Sequence, residues 1–430
     1  MLKSNKIYLK LITRNENRHA KCESVVAAFY YDFVNKTKHY LNFNHKDVAV
    51  DCKFDDFIKS INDQNIKVYV NDKKKYKYWL NCEIIDVNIF GFVAKNEVID
   101  EVSNFCKDHL RSNHRNLNDF NLIVPYVIHQ ESFDKEVEEI KNLDVLETDS
   151  YCFKFFNNVI TDTLFEVEKN GLKIKEETFS NHFKAKTYDG YVYSNYHIYN
   201  PTGRPSNAYD NINYVALKKD DGSRASFVSR FTNGHLMMID FTGFHPYIVA
   251  NLIKYQVPDN ETIYEHLAKY YYNTDVITTE LMSKAKKLTM VNLYGQISDQ
   301  YINIEYFKKT EQLKTAYWTK FERDGYVTTP IYKRKITTNH ISDPNKNKLF
   351  AYIIQAAETE YGMDRLQACL KFTVGKEILP ILYNYDAILF DVGSIDPNDI
   401  TDLIEIIKNK RFKVKVYKGN NYNDLKLVQL

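Results

Sequence analysis

The sequence predicts an α+β protein of two or three domains. Residues 6–81 contain runs of β-branched and aromatic residues around one helical segment, which is typical of a small α/β domain. The rest of the chain combines long amphipathic helices with strongly apolar strand-like runs. With 430 residues and 44% hydrophobic content, the chain can form well-packed cores, so general disorder is excluded.

Charge and cysteine content limit the possible classes of protein further. The chain has 58 Lys+Arg against 56 Asp+Glu, which excludes a uniformly basic nucleic-acid coat but allows a local basic cleft. The six cysteines form no C-x-x-C pair, so neither a cysteine-rich zinc site nor a disulfide framework is predicted. Cys106, His109 and His114 have zinc-like spacing, but no fourth ligand is nearby, and we interpret them as a polar helix face.

The chain has no apolar run of the length that a membrane span needs, and its first residues lack the apolar core of a signal peptide. We therefore expect a cytoplasmic protein without a membrane partner.

The first domain is predicted over residues 1–127. Strand-like runs begin at Lys6, Glu23 and Lys38, a helix follows over residues 55–63, and a further strand covers residues 66–70.

Residues 128–200 are predicted to be connecting helices that end at Asn170-Gly171, followed by an antiparallel hairpin over residues 187–199.

The third region, residues 201–430, carries the strongest secondary-structure patterns. HLMMIDFTG is predicted to be a buried strand, and residues 278–294 a helix. Residues 347–374 form one long amphipathic pattern, and ILPILYNYDAILFDV contains two strand-like runs around Asn384. A turn at Asp324-Gly325 separates a helix from a hairpin.

Two carboxylates in this region, Asp240 and Asp386, are candidates for metal binding. A lone carboxylate beside an apolar strand is usually a turn former or a helix cap. A strand ending in Asp and a hairpin carrying a second Asp can, however, bring both onto one sheet. There they could hold two magnesium ions roughly 3.5–4 Å apart, the arrangement that activates the attacking oxygen and neutralises the leaving phosphate.

The helix over residues 278–294 carries Met282, Lys286, Met290 and Tyr294 at intervals of four, so they share one face. One interpretation is a solvated helix with two core methionines. The other is a cation that contacts triphosphate oxygens, next to an apolar and aromatic surface for a base.

In chain order, six segments resemble those of the family A DNA polymerases, the group of bacterial polymerase I and many phage replicases. They are Thr202-Gly203-Arg204-Pro205-Ser206 with Asn211-Ile212-Asn213, Ile239-Asp240-Phe241-Thr242 (motif A), Lys286 to Tyr294-Gly295 (motif B), Asp324-Gly325-Tyr326-Val327-Thr328-Thr329 with Lys333-Arg334, Gln355-Ala356-Ala357, and Tyr385-Asp386-Ala387 (motif C). The resemblance covers roughly residue 159 to the C-terminus. It implies a right-hand palm and fingers over residues 201–430, with the fingers at about 255–335.

The resemblance also implies roles for individual residues. The metal ligands would be Asp240, Asp386 and the backbone carbonyl of Phe241. Lys286 would hold the phosphates of the nucleotide and act as a catalytic acid, with Met290, Tyr294, His245 and Phe241 also at the nucleotide. Contacts to primer-template DNA would come from Arg204, Asn211, Asn213, Gln355, Lys333 and Arg334. The implied function is a DNA-directed DNA polymerase that uses dNTPs and two Mg²⁺ ions.

Departures from the family pattern leave alternatives open. His245 stands where the family has the glutamate that excludes a ribose 2′-hydroxyl. Met290 resembles the methionine that the related single-subunit RNA polymerases have at the matching place. RNA or primer synthesis with relaxed sugar selection is therefore one alternative. Met282 replaces a phosphate-binding arginine and Ala387 the glutamate of motif C. A non-catalytic, polymerase-derived DNA-binding subunit is the other.

Two further expectations concern missing parts. The segments at residues 165–179 and 191–204 resemble those that flank the thumb, yet they lie close together, so the thumb is expected to be reduced. Low processivity, or a partner protein that supplies the grip, would follow. Small size and AT-rich composition indicate a phage or plasmid origin.

The N-terminal domain is similar to a degenerate 3′–5′ exonuclease. Lys75 stands where a metal-binding Asp would be, and the first strand lacks the D-x-E needed for two-metal hydrolysis. Asp32 and Asp72 are predicted to be surface or turn residues. No proofreading is expected.

Overall fold

The computed structural model describes residues 4–14, 19–64, 66–95, 120–141, 150–394 and 396–428. The chain divides into two compact units, Met1–Phe165 and Glu166–Leu430. Helices and sheets occur in both, which confirms the predicted α+β class. Cys106, His109 and His114 lie outside the described residues.

The first unit is built around a mixed five-stranded sheet of order β3-β2-β1-β4-β5. The first three strands are antiparallel to one another, whereas β4 and β5 join in parallel. Apolar residues of the sheet and of the helix after β3 form one core, which includes Ile7, Val68 and Ile61. The strands are β1 (Lys6–Thr13), β2 (Val25–Asp32), β3 (Thr37–Asn42), β4 (Lys67–Val70) and β5 (Ile84–Asp86).

The helices of this part of the chain are α1 (Phe54–Asp63), α2 (Lys73–Tyr76), α3 (Val87–Lys95), α4 (Phe120–Ile123), α5 (Tyr126–Ile140), α6 (Tyr151–Lys154) and α7 (Thr161–Asn170). A π-helix, Phe155–Ile160, joins α6 to α7, and a 3₁₀ turn covers Ala20–Cys22. Gly171 follows α7 with φ +62°, the left-handed stop predicted at Asn170-Gly171.

The carboxylates of this unit that sequence reasoning considered have local roles. Asp32 is buried and accepts hydrogen bonds from the backbone amides of Val34 and Asn35, as a turn former does. Asp72 caps α2 by accepting from the amide of Lys75. The predicted turn roles are therefore confirmed, although Asp32 does not lie on the surface.

The second unit begins with short strands, β6 (Leu172–Ile174), β7 (Tyr191–Val192), β8 (Tyr196–His197), β9 (Ser206–Asn207) and β10 (Phe227–Val228), and the helix α8 (Glu176–His182). The hairpin predicted over residues 187–199 is wrong, because β7 pairs with β6 whereas β8 pairs with β9. The reason is tertiary: the Tyr196 amide donates to Glu168 and the Tyr196 hydroxyl to the carbonyl of Tyr383.

The central sheet of this unit is antiparallel, with the order β14-β15-β11-β16-β17. Its middle strand, β11, is the predicted HLMMIDFT strand and pairs with β15 on one side and β16 on the other. The strands are β11 (His235–Thr242), β14 (Ile378–Asn384), β15 (Ala387–Val392), β16 (Lys413–Gly419) and β17 (Lys426–Leu427), with a separate hairpin of β12 (Tyr326–Thr328) and β13 (Lys335–Thr337).

Helices complete the second unit. They are α9 (Phe244–Leu252), α10 (Ile263–Tyr272), α11 (Thr279–Tyr294), α12 (Glu305–Asp324), α13 (Lys346–Phe372) and α14 (Pro397–Lys408), with 3₁₀ turns at Tyr214–Ala216, Ser223–Ser226 and Thr338–His340. The helices predicted over residues 278–294 and 347–374 are confirmed as α11 and α13. The long helix α13 packs against α9, α11, α12 and α14.

Among the described residues, no helix is both long enough and apolar enough to cross a membrane.

Candidate active site

A cavity of about 610 Å³ in the second unit contains the main predicted residues. Its wall includes the C-terminal end of β11 and the start of α9, one face of α11, two residues of β16, and the turn before β15. Asp240, Asp386 and Lys286 all line it, so three segments far apart in the sequence meet at one place.

The sheet brings the two carboxylates together. Asp240 is near the end of β11, directly opposite Ala387 of β15 in the strand register. Asp386 precedes Ala387 in the β14–β15 turn, and its backbone carbonyl accepts a hydrogen bond from the amide of Phe241 at 2.8 Å. Tyr385 adopts a left-handed conformation in this turn, with φ +59°.

The environment of both carboxylates favours their neutral forms. Burial raises the pKa of Asp240 to about 6, repulsion from Asp386 adds to the effect, and Lys286 opposes it. Burial also raises the pKa of Asp386, with repulsion from Glu358 as the next cause. Two neighbouring carboxylates whose ionised forms are disfavoured in this way are a site for added positive charge.

Lys286 lies on the cavity side of α11 together with Met282 and Met290, as the interval of four predicted. The hydroxyl of Tyr294, at the end of the same helix, is hydrogen-bonded to Nδ1 of His245 on α9. Burial raises the pKa of the Tyr294 hydroxyl, and Glu358 raises it further. Phe241 is buried and stacks on Phe244 with ring centroids 4.2 Å apart.

Glu358 of α13 lies at the centre of a polar network that the sequence did not reveal. Its carboxylate accepts from Nε of Arg204 at 2.5 Å and from a terminal guanidinium nitrogen at 3.2 Å. Nε2 of His245 lies 2.9 Å from the same carboxylate. Arg204 also stacks on Tyr385, 3.9 Å from the ring centroid. Arg204, His245, Tyr294 and the β14–β15 turn are thus connected through one side chain that is 1% exposed.

A weak signal for Glu358 exists in the sequence. It directly follows Gln355-Ala356-Ala357, in a helix whose other buried positions are mostly apolar. A charged residue at such a position needs a partner, but the sequence does not identify the partner. Lys415 and Tyr417 of β16 also line the cavity and were not predicted.

The remaining DNA-contact candidates lie elsewhere in the second unit. Asn211 and Lys333 are exposed, and Asn213 is an exposed cap of the 3₁₀ turn at residues 214–216. Gln355 is partly buried on α13. None of these four occurs among the described residues that line the cavity.

Arg334 requires a correction. Its side chain is 1% exposed and donates a hydrogen bond to the backbone carbonyl of Pro201 at 2.8 Å. The guanidinium is inside the protein, where it supports the loop that leads to Arg204. The predicted DNA contact is therefore replaced by a structural role, because a buried arginine does not reach a phosphate at the surface.

The residues present fit magnesium that arrives with a phosphate ligand. In the described part of the chain, no group of three or more His, Cys, Asp or Glu side chains could hold a metal ion. Mg²⁺ is commonly bound through one or two carboxylates, with substrate phosphates and waters completing its shell. Asp240 and Asp386 supply that minimum, and repulsion from Asp386 adds to the effect of burial in raising the pKa of Asp240.

Comparison with solved structures identifies a similar fold. The POL domain of Pol1 from M. smegmatis, solved in a complex with DNA primer-template and dNTP, matches with a TM-score of 0.72. The match covers 98% of this chain and 96% of that one at 13% sequence identity, so it shows the fold. No protein-family model matches the sequence. Comparison with curated proteins also yields no match.

Proposed function

We propose that the chain is a template-directed DNA polymerase, a nucleotidyltransferase that adds deoxynucleotides to the 3′-end of a primer. The observation that carries the proposal is the meeting of Asp240, Asp386 and Lys286 in one cavity. The similar fold of a domain solved with primer-template and dNTP supports it. In the reaction, the primer 3′-oxygen bonds to the α-phosphorus of the nucleotide while the bond to pyrophosphate breaks.

Asp240 and Asp386 would hold two Mg²⁺ ions, with the carbonyl of Phe241 as a further ligand. When bound, such ions stabilise the charge that develops on the attacking and leaving oxygens. Lys286 contributes a point charge to the phosphates and donates a proton to the departing pyrophosphate. Met290, Tyr294 and His245 contact the base and sugar of the nucleotide.

Primer-template DNA is the second substrate. Arg204 contacts it near the insertion site, with its guanidinium oriented by Glu358 and by stacking on Tyr385. Lys333 contributes a phosphate contact, and Asn211, Asn213 and Gln355 contribute polar contacts. Dependence of DNA affinity on salt would follow from the charged contacts.

The first unit serves as a nuclease-derived scaffold without proofreading. Where two-metal hydrolysis needs carboxylates, strand β1 carries Tyr8 and Lys10, and both bond to Glu136 on α5. Burial and this pairing occupy the carboxylate of Glu136. A primer with a mismatched 3′-nucleotide should therefore release no mononucleotide when incubated with Mg²⁺ alone.

Primer extension tests the proposal directly. The purified chain, Mg²⁺ and the four dNTPs should extend a labelled primer on a template, and EDTA should stop the reaction. Asp240→Asn and Asp386→Asn should each abolish extension, whereas Asp402→Asn, an exposed carboxylate on α14, should not. Extension that is equal in the wild type and in Asp240→Asn would contradict the two-metal assignment. DNA binding without extension would favour the non-catalytic alternative.

Relaxed sugar selection is a second candidate. His245 stands where the family that the chain resembles has the glutamate that excludes a ribose 2′-hydroxyl, and in this structure it contacts Glu358 and Tyr294. The same assay with rNTPs in place of dNTPs decides it. A strong preference for dNTPs supports the DNA polymerase, and equal rates would support RNA or primer synthesis.

A further inference from the structure

Three cations line the active-site cavity, and they differ in how they are held. Arg204 is paired with Glu358. Lys286 of α11 and Lys415 of β16 have no ion-pair partner within the parts of the chain that the structure describes. Two lysines that face a cavity without a carboxylate partner are available to an anionic ligand.

The strand register fixes the position of Lys415. On the two sides of β11, the residues directly opposite Asp240 are Ala387 on β15 and Lys415 on β16. Neighbouring strands are about 4.8 Å apart, and opposite residues share a face of the sheet. Lys415 and the Asp386 turn therefore flank Asp240 from opposite sides.

Lys415 lines the same cavity as Asp240. Tyr417, two residues further along β16, also lines the cavity. Lys415 is exposed, so its flexible side chain can move toward a ligand.

The position of Lys415 relative to Asp240 and Arg204 indicates which anion Lys415 would contact. Arg204, the proposed DNA contact, stacks on Tyr385 at the Asp386 side of the sheet. Lys415 is on the other side of Asp240, in a cavity that the Lys286 face of α11 also lines. An anion between these two lysines is therefore on the side of Asp240 away from the primer contact.

We propose that Lys415 binds the phosphate tail of the incoming nucleotide together with Lys286, and so acts as a second nucleotide-binding cation. This inference rests on the proposed polymerase function. A phosphate chain carries several charged oxygens, and two ammonium groups contact more of them than one does.

The test compares Lys415→Ala and Lys415→Arg with Lys418→Ala as a matched control. Lys418 is an exposed lysine on the same strand, but it lies opposite Met237, on the other face of the sheet. In primer extension, Lys415→Ala should raise the KM for dNTP by about tenfold, with kcat and DNA affinity nearly unchanged. Lys415→Arg should keep most of the affinity, and Lys418→Ala should match the wild type.

A binding measurement separates this inference from the proposed function. Titration of the protein with Mg²⁺ and inorganic triphosphate needs no turnover, and Lys415→Ala should weaken that binding by about tenfold. If the wild type extends primers while Lys415→Ala keeps the normal KM and triphosphate affinity, the inference is overturned alone. A loss confined to primer-template affinity would also overturn it. Failure of the wild type to extend any primer would refute the polymerase function, and triphosphate binding would still report on Lys415.

Discussion

Glu358 connects more of the candidate site than any other side chain described above. A buried carboxylate is costly unless charged or hydrogen-bonding partners surround it, and Arg204 supplies both a charge and hydrogen bonds, while Nε2 of His245 lies 2.9 Å from the carboxylate. In return, the carboxylate restrains both partners. In the proposed polymerase, Glu358 would therefore be a positioning residue, which acts on the substrates through Arg204 and His245.

We predict that Glu358→Gln lowers kcat/KM for nucleotide addition by about tenfold to a hundredfold, because the neutral amide holds Arg204 less strongly. Steady-state primer extension measures the effect. Glu360→Gln is the control: this buried residue on the same helix accepts from Thr329 and from the amide of Ile331. It should lower thermal stability and leave nucleotide addition unchanged. Equal losses in both variants would mean that the effect of Glu358 is on folding.

His340 is a second residue with a testable environment. Its Nδ1 accepts a hydrogen bond from the amide of Thr337 at 3.0 Å. Burial lowers the pKa of His340 to about 4, with the nearby charge of Arg334 as the next cause. The unfolded state binds a proton near the ordinary histidine pKa, about 6.5, before the native state does. Stability should therefore be lost as the pH falls from there toward 4.

We predict that the wild type loses more unfolding free energy between about pH 7 and pH 5 than His340→Asn, which keeps an acceptor but does not titrate. The chain has two tryptophans, and Trp318 packs in the same cluster as Ile341. Urea unfolding followed by Trp318 fluorescence in a Trp79→Phe background measures this region. Parallel pH dependence of the two proteins would refute the assignment to His340.

At the scale of elements, the turn from β11 to α9 sets the direction of the chain just after Asp240. Gly243 has φ +66° there, and a Cβ atom would lie 2.9 Å from Cγ2 of Ile263. Gly325, between α12 and β12, has φ +73° but no atom within 4 Å of an added Cβ. The two glycines share a backbone conformation and differ in their surroundings.

We predict that Gly325→Ala costs about 1 kcal/mol of unfolding free energy, the strain of a left-handed alanine. Gly243→Ala should cost more, about 2–4 kcal/mol, because overpacking is added to the same strain. Chemical denaturation of both variants gives the comparison. Equal costs would show that the neighbouring Ile263 side chain moves aside freely.

The elements also show where sequence reasoning succeeds. Helices α11 and α13 and strand β11 were predicted because each is a long run without proline, whose residue types favour one kind of element independently of its partners. The hairpin at residues 187–199 failed because β7 and β8 are two residues long. Strands that short take their partners from tertiary contacts, here with β6 and β9.

At the scale of the whole molecule, the segment between Gly171 and Arg204 bears on the hold on DNA. Within this described stretch, the single helix is the seven-residue α8. The proposed polymerase would thus lack a large helical thumb, and a net charge of +2 supplies little general attraction for DNA. Low processivity, or a protein partner that supplies the grip, is the proposed consequence.

We predict that the purified chain adds only a short run of nucleotides per binding event when excess unlabelled primer-template traps dissociated protein. The run should lengthen as salt is lowered, because phosphate contacts weaken with salt. Denaturing gels of single-encounter reactions measure this. Extension over kilobases under trap conditions would contradict the reduced thumb.

The α+β class, the main helices and strands of the second unit, and the types of residue in the site could be predicted from the sequence alone. Local periodicity and turn chemistry carry that information, since they depend on neighbours along the chain. Only the tertiary structure decided the partners. Glu358 meets Arg204 across 154 residues of sequence, and Lys415 comes beside Asp240 through the pairing of β16 with β11. Arg334 likewise proved to be buried. Burial and pairing depend on which surfaces the folded chain brings together, and no local pattern specifies them.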